Sequence, residues 1–137
     1  MKQFQLNFWN EFKKISCYCT GFRRVLEKHS EPWKRYSRIT DIDIEYLKSI
    51  IRKYSIKVLI VDMDGTLKHY KQGLLVKNKE WINNIKQYVS VFIISNANKQ
   101  LTSKIADELC VEYIYNAKKP SALGFKKILN KTNSSID

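Results

Sequence analysis

Apolar positions change their period along the chain, and the changes divide it. Phe4, Phe8, Phe12, Ile15, Cys19, Phe22 and Leu26 recur at steps of 4, 4, 3, 4, 3 and 4, with Lys13, Arg24 and Lys28 on other faces. That spacing predicts a basic amphipathic helix, continuous or broken near Gly21, with one apolar stripe. The stripe suits either a core or partner face, or an interface with an acidic membrane surface. Pro32, flanked by His29 and Trp33, marks a linker. Ile44, Leu47, Ile51 and Tyr54 then follow Asp41, Asp43 and Glu45 at helical spacing, the acidic residues placed to favour a helix start.

From Lys57 the pattern shortens. Lys57-Val58-Leu59-Ile60-Val61 and Val91-Phe92-Ile93-Ile94 are continuous, β-branched apolar runs, the signature of strands buried on both faces of a parallel sheet. Between them Trp81, Ile82, Ile85 and Tyr88 recur as on a helix. Leu101, Ile105 and Leu109 predict another helix, Val111 to Tyr115 a third strand, and Pro120 opens a last helix through Leu123, Ile128 and Leu129. Strands alternating with helices predict βαβ units in a three-layer α/β sandwich. The reading divides the chain into a basic helical segment, 1–38, and an α/β domain, 39–137. At 137 residues there is room for one core.

Charge adds a constraint on partners but does not choose one. The net charge is +12, with 9 basic and 3 acidic residues in 1–40 and 16 and 10 in 41–137. Such an excess attracts nucleic acid, acidic lipid and phosphorylated substrates alike. No apolar run approaches the roughly 20 residues that span a bilayer, and the N-terminus lacks the order of a secretory signal. Glu11 and Glu27 count against a mitochondrial presequence, which stays as the alternative to a cytoplasmic setting. Cys17, Cys19 and Cys110 are odd in number, the first two badly spaced for a mutual disulfide or a zinc site, which fits a reduced compartment.

Candidate chemistry falls after the strands, where an open α/β sheet places its ligand site. Asp62-Met63-Asp64-Gly65-Thr66-Leu67 follows the first, Ser95-Asn96-Ala97-Asn98 the second and Asn116-Ala117-Lys118-Lys119-Pro120 the third. The set suits phosphoryl transfer. Asp62 can attack phosphorus, and Asp64, two residues on and on the same side of an extended backbone, can protonate the leaving alkoxide and then activate water. Gly65 permits a sharp turn, and backbone N–H groups through Thr66 can hold phosphoryl oxygens. Ser95 can donate to the phosphate and Lys119 can neutralise its charge, with Lys118 read as a solvated neighbour. Mg²⁺, held by Asp62 and Asp64, is the cation expected beside a dianionic phosphate. Two bland alternatives compete: Asp-Gly as an ordinary turn, and Ser95 with Asn96 as a helix cap. His69 and Lys71 are surface residues or contacts for a lipid headgroup.

The first of these segments resembles the first motif of the haloacid dehalogenase (HAD) superfamily of phosphatases. Ser95-Asn96 is similar to its second motif and Lys119-Pro120 to its third, in the right order, 33 and 24 residues apart. The resemblance implies a HAD-like Rossmannoid sandwich without a large cap domain and an Mg²⁺-dependent aspartyl-phosphate mechanism. Ile42-Asp43-Ile44-Glu45-Tyr46-Leu47 and Tyr115-Asn116-Ala117-Lys118-Lys119-Pro120 are similar to subfamily IIIA, the phosphatidylglycerophosphatase-like branch, implying a phosphorylated lipid headgroup as substrate at the inner face of a membrane. The likeness runs from about Ile39 to Asn130.

The family's fourth motif, an acidic residue after a fourth strand, has no counterpart here. The reading is therefore of a chain truncated before that motif, holding Mg²⁺ poorly and hydrolysing phosphate esters weakly, with the Asp62 strand left as an edge open to self-association or to a complementing chain. The rival readings are a catalytically weak or inactive remnant acting as a binding module for acidic membrane or nucleic acid, which the site residues disfavour and the truncation favours, and a phosphatase for soluble esters.

Overall fold

The computed structural model describes residues 4–8, 14–18, 34–119 and 121–134. Among the described residues six strands form one sheet: β1 (Phe4–Phe8), β2 (Lys14–Tyr18), β3 (Lys34–Tyr36), β4 (Val58–Asp62), β5 (Ser90–Ile94) and β6 (Glu112–Ile114), in the order β3-β1-β2-β4-β5-β6. Among the described residues the helices are α1 (Ile44–Lys53), α2 (Val76–Ile85), α3 (Lys99–Leu109) and α4 (Leu123–Lys131), with a 3-10 turn over Ile39–Asp41. This is an α/β, Rossmann-like sandwich built on the three parallel strands β4, β5 and β6.

Alternation along β4 explains the layers. Leu59 and Val61 join the core beneath α1, α2 and α3, while Val58 and Ile60 face the opposite cluster with Phe92, Ile94 and Ile128. Both faces of β4 are covered, and every one of its residues is buried, which is why the run reads as continuously apolar. Asp43 caps α1, its carboxylate accepting from the Tyr46 N–H at 2.7 Å, and Trp81 ties α2 to the segment before α1 through a 2.9 Å bond from Nε1 to the Ile42 carbonyl. On α1, the Glu45 hydrogen bond holds the Lys48 ammonium above its usual range. Among the described residues no helix is long and apolar enough to cross a membrane.

The N-terminal segment departs from the helical expectation where it is described. Residues 4–8 and 14–18 are strands, β1 antiparallel to β2 and to β3. Phe4 and Phe8 satisfy a helical period, but Phe-Gln-Leu-Asn-Phe also alternates strictly, and Leu6 fits only the period of two. The rest of the stripe, from Cys19 to Leu26, and the linker around Pro32 lie outside the described residues, as does Pro120. β2 pairs in parallel with β4, Lys14, Ile15 and Ser16 standing opposite Val58, Leu59 and Ile60, so the strand that carries Asp62 is not a sheet edge.

Candidate functional site

Register brings the candidate residues together. Asp62 pairs with Ile94, and Ile94 with Ile114, so the three parallel strands end level and release their loops at one edge of the sheet. Each loop then turns by a specific device. Gly65, at φ 77°, adopts a conformation that a side chain would resist, and its N–H donates to the Lys68 carbonyl at 2.8 Å. The Thr66 N–H reaches the Met63 carbonyl at 3.4 Å, so both backbone donors expected to meet phosphate are engaged within the turn itself. Asn116 and Lys118 are also left-handed, at φ 45° and 53°, and they re-aim the third loop toward β4.

Asp62 and Lys119 meet as a buried ion pair, each side chain 5% exposed, with Nζ on the Asp62 Oδ1. The same ammonium donates to the Ile94 carbonyl at 3.3 Å. Lys118 is exposed. Asn96 holds the Lys119 backbone at both polar groups: its Oδ1 accepts from the Lys119 N–H at 2.7 Å, and its Nδ2 donates to the Lys119 carbonyl at 3.1 Å. Ser95 is 1% exposed, and its Oγ accepts from the Ala97 N–H at 3.0 Å. Asn98, rather than Ser95 or Asn96, is the cap of α3, accepting from the Leu101 N–H at 3.0 Å. Further bonds from Ala117 N–H to the Ser95 carbonyl and from Asn116 N–H to the Ala97 carbonyl, 2.9 and 3.0 Å, stitch the second loop to the third. Gly124 lets α4 close against this seam: a Cβ there would stand 2.8 Å from the Ile94 Cδ1 and 3.1 Å from the Ala117 Cβ.

Asp64 sits higher, at the mouth. Its side chain is 36% exposed and pairs with Lys68 at 2.8 Å. Cavities of about 690 and 680 Å³ open beside it, and Asp62 lines neither. Two contributors were not singled out by the sequence pattern. Lys68 neutralises Asp64 from one turn away. Asn78, 5% exposed on α2, donates from Nδ2 to the carbonyls of Thr66 and Leu67 at 2.9 and 3.0 Å and so fixes the back of the Asp64 turn. A polar residue on the inward face of an otherwise apolar helical stripe was the available signal for Asn78; Lys68 carried none.

Asp62 and Asp64 offer hard carboxylate oxygens two residues apart, and Mg²⁺ is commonly held by one or two carboxylates with water and substrate phosphate completing its shell. The set fits that mode, whereas an all-protein cage does not: among the described residues no group of three His, Cys, Asp or Glu could enclose a metal ion.

Comparison with known proteins gives one measured likeness. Over 92 residues the chain is 26% identical to a Bacillus subtilis (strain 168) protein named Probable phosphatase YqeG, a stretch that is 61% of this chain and 54% of the relative. The chain thus spans about half the length of the curated relative it matches. No protein-family model matches the chain. No solved structure matches it.

Proposed function

We propose that the chain is a phosphatase domain of the HAD type, acting on phosphate monoesters through an aspartyl-phosphate on Asp62. The observation that carries this reading is the buried Asp62–Lys119 pair at the end of a parallel strand, with Asp64 two residues on at the cavity mouth. Its chemistry follows from the geometry. Lys119 occupies Oδ1, which leaves Oδ2 of Asp62 to form the bond to phosphorus as the bond from phosphorus to the leaving oxygen breaks. Asp64, protonated once its contact with Lys68 is given up, gives that proton to the leaving oxygen. The resulting carboxylate then takes a proton from water as water attacks phosphorus and the Asp62–phosphorus bond breaks. Mg²⁺ held by Asp62 and Asp64 would offset the repulsion between carboxylate and phosphate.

The finer reading is that the ester is phosphatidylglycerophosphate, which the sequence likeness around Ile42–Leu47 and Tyr115–Pro120 supports, and that the domain works beside an anionic membrane. Phosphate release from p-nitrophenyl phosphate and from phosphatidylglycerophosphate, with and without Mg²⁺, tests both levels. Turnover abolished by Asp62→Asn in a chain that still folds is the expected result. Turnover insensitive to Asp62→Asn would overturn the phosphatase reading. Equal rates on both esters would overturn the lipid assignment alone.

A further inference from the structure

Each carboxylate offered to the divalent cation already carries a lysine ammonium. Asp62 holds Lys119. Asp64 holds Lys68, whose Nζ stands 2.8 Å from its Oδ1. The Lys68 side chain is 11% exposed, against 36% for Asp64, so the ammonium has little water to turn to. Its other polar contact among the described residues is the His69 carbonyl, at 3.4 Å.

The turn holds Lys68 in this place through both of its backbone groups. Its N–H donates to the Met63 carbonyl at 3.3 Å, and its carbonyl accepts from the Gly65 N–H at 2.8 Å, so the lysine is tied to the two chain neighbours of Asp64. Leu67, fully buried, anchors the same turn in the core. The pairing of Lys68 with Asp64 is thus built by the fold of the loop and not by two long side chains meeting on an open surface.

This arrangement decides how a cation can enter. The formal charges of Asp62, Lys119, Asp64 and Lys68 cancel, so a divalent cation meets no net attraction from the four together. To take Oδ1 of Asp64 it must replace an ammonium, and a mostly buried ammonium deprived of its carboxylate is costly unless another anion stands near. A phosphoryl group close enough to receive the Asp64 proton is such an anion.

We propose that Lys68 is a resident counter-ion of Asp64 that Mg²⁺ has to displace, so that Mg²⁺ binds strongly only when a dianionic phosphoryl group binds with it. The proposal rests on reading Asp62 and Asp64 as the ligands of the cation. Lys68 is then a positioning residue, acting on the reaction through Asp64. By linkage, the factor by which phosphate raises the affinity for the cation is the factor by which the cation raises the affinity for phosphate.

The test is the binding of Mn²⁺, a paramagnetic probe of the Mg²⁺ site, to the whole chain, followed as loss of the free-ion electron paramagnetic resonance signal with and without dianionic methylphosphonate. In the wild type, methylphosphonate is expected to raise the Mn²⁺ affinity about tenfold or more. Lys68→Met should bind Mn²⁺ alone about tenfold more tightly than the wild type and should lose most of the methylphosphonate enhancement. Lys68→Gln should do the same, and it serves where the methionine variant does not fold. Lys68→Arg, which restores the cation, should match the wild type. Lys71→Met removes an equal charge from an exposed residue of the cavity that Asp64 and Lys68 also line, and it should leave both quantities unchanged. Asp64→Asn should abolish the binding, which assigns the signal to this site. Mn²⁺ binding that is unchanged or weaker in the Lys68→Met and Lys68→Gln variants, an enhancement that they retain, an equal gain in Lys71→Met or Lys68→Arg, or binding that survives Asp64→Asn would overturn the proposal. Because the measurement requires no turnover, its failure is distinguishable from the failure of the phosphatase reading, which is decided by Asp62→Asn.

Discussion

The side-chain amide of Asn96 brackets the peptide of Lys119, accepting from its N–H at 2.7 Å and donating to its carbonyl at 3.1 Å across 23 residues of sequence. The clamp sets the origin of the lysine side chain, whose ammonium reaches the buried Asp62. Asn96→Ala removes both bonds at an exposed position, so folding should lose only about 1 kcal/mol. Misplacing the ammonium by a fraction of an ångström should cost more in rate, roughly 10- to 100-fold in kcat/KM. Urea unfolding and p-nitrophenyl phosphate turnover, measured on the same preparation, check the split. An equal rate with reduced stability would mean that the clamp serves the fold alone.

The Asp62–Lys119 pair is itself a structural commitment. Both side chains are 5% exposed, so removing the ammonium strands a carboxylate where water cannot solvate it. Lys119→Met should therefore destabilise the chain by about 3–5 kcal/mol. Adding Asp62→Asn removes the stranded charge, and the double variant should recover most of that loss. A double-mutant cycle by urea unfolding measures the coupling, and additive losses would show that the two side chains do not depend on one another.

Asn78 links the apolar core to the site. Its Nδ2 supplies donors to two backbone carbonyls of the turn between Asp64 and Lys68, at a position 5% exposed. Asn78→Ala leaves both carbonyls without that donor and opens a small void, an expected cost of about 2 kcal/mol. Asn78→Asp should cost more, because a carboxylate would face two carbonyl oxygens with no proton to share. Thermal melts of both variants, compared with Asn78→Gln, establish the order.

The parallel core was legible because β4 and β5 are buried on both faces and so carry uninterrupted apolar runs, with the candidate site residues directly after them. The position of Lys119 was readable from its motif, since the level ends of β4, β5 and β6 bring the three loops to one edge. What escaped was non-local. Phe4, Leu6 and Phe8 satisfy a strand as well as part of a helical stripe, and only pairing with other strands decides between them. Nothing in Lys14-Ile15-Ser16 announces that it lies beside Val58-Leu59-Ile60, about 44 residues on, because parallel pairing leaves no local mark. Lys68 and Asn78 act on the Asp64 turn through contacts that exist only once α2 has packed against it.

Cys110 closes α3 in a conformation that its side chain resists. It stands at φ 52°, ψ 53°, the left-handed C-cap geometry that glycine usually supplies, and its N–H serves the carbonyls of Ala106 and Asp107. The side chain is exposed, its thiol making one long contact, 3.5 Å, to the Asp107 carbonyl. Relief of left-handed strain is worth about 1–2 kcal/mol. The greater freedom of glycine in the unfolded chain returns up to about 1 kcal/mol. Cys110→Gly should therefore stabilise the chain by about 0.5 kcal/mol, raising the melting temperature by about 2 °C. Cys110→Val, which adds a β-branch at the same φ, should shift it the other way. Melts under reducing conditions exclude any contribution from thiol oxidation, and a glycine variant less stable than the wild type would show that the thiol contact outweighs the strain.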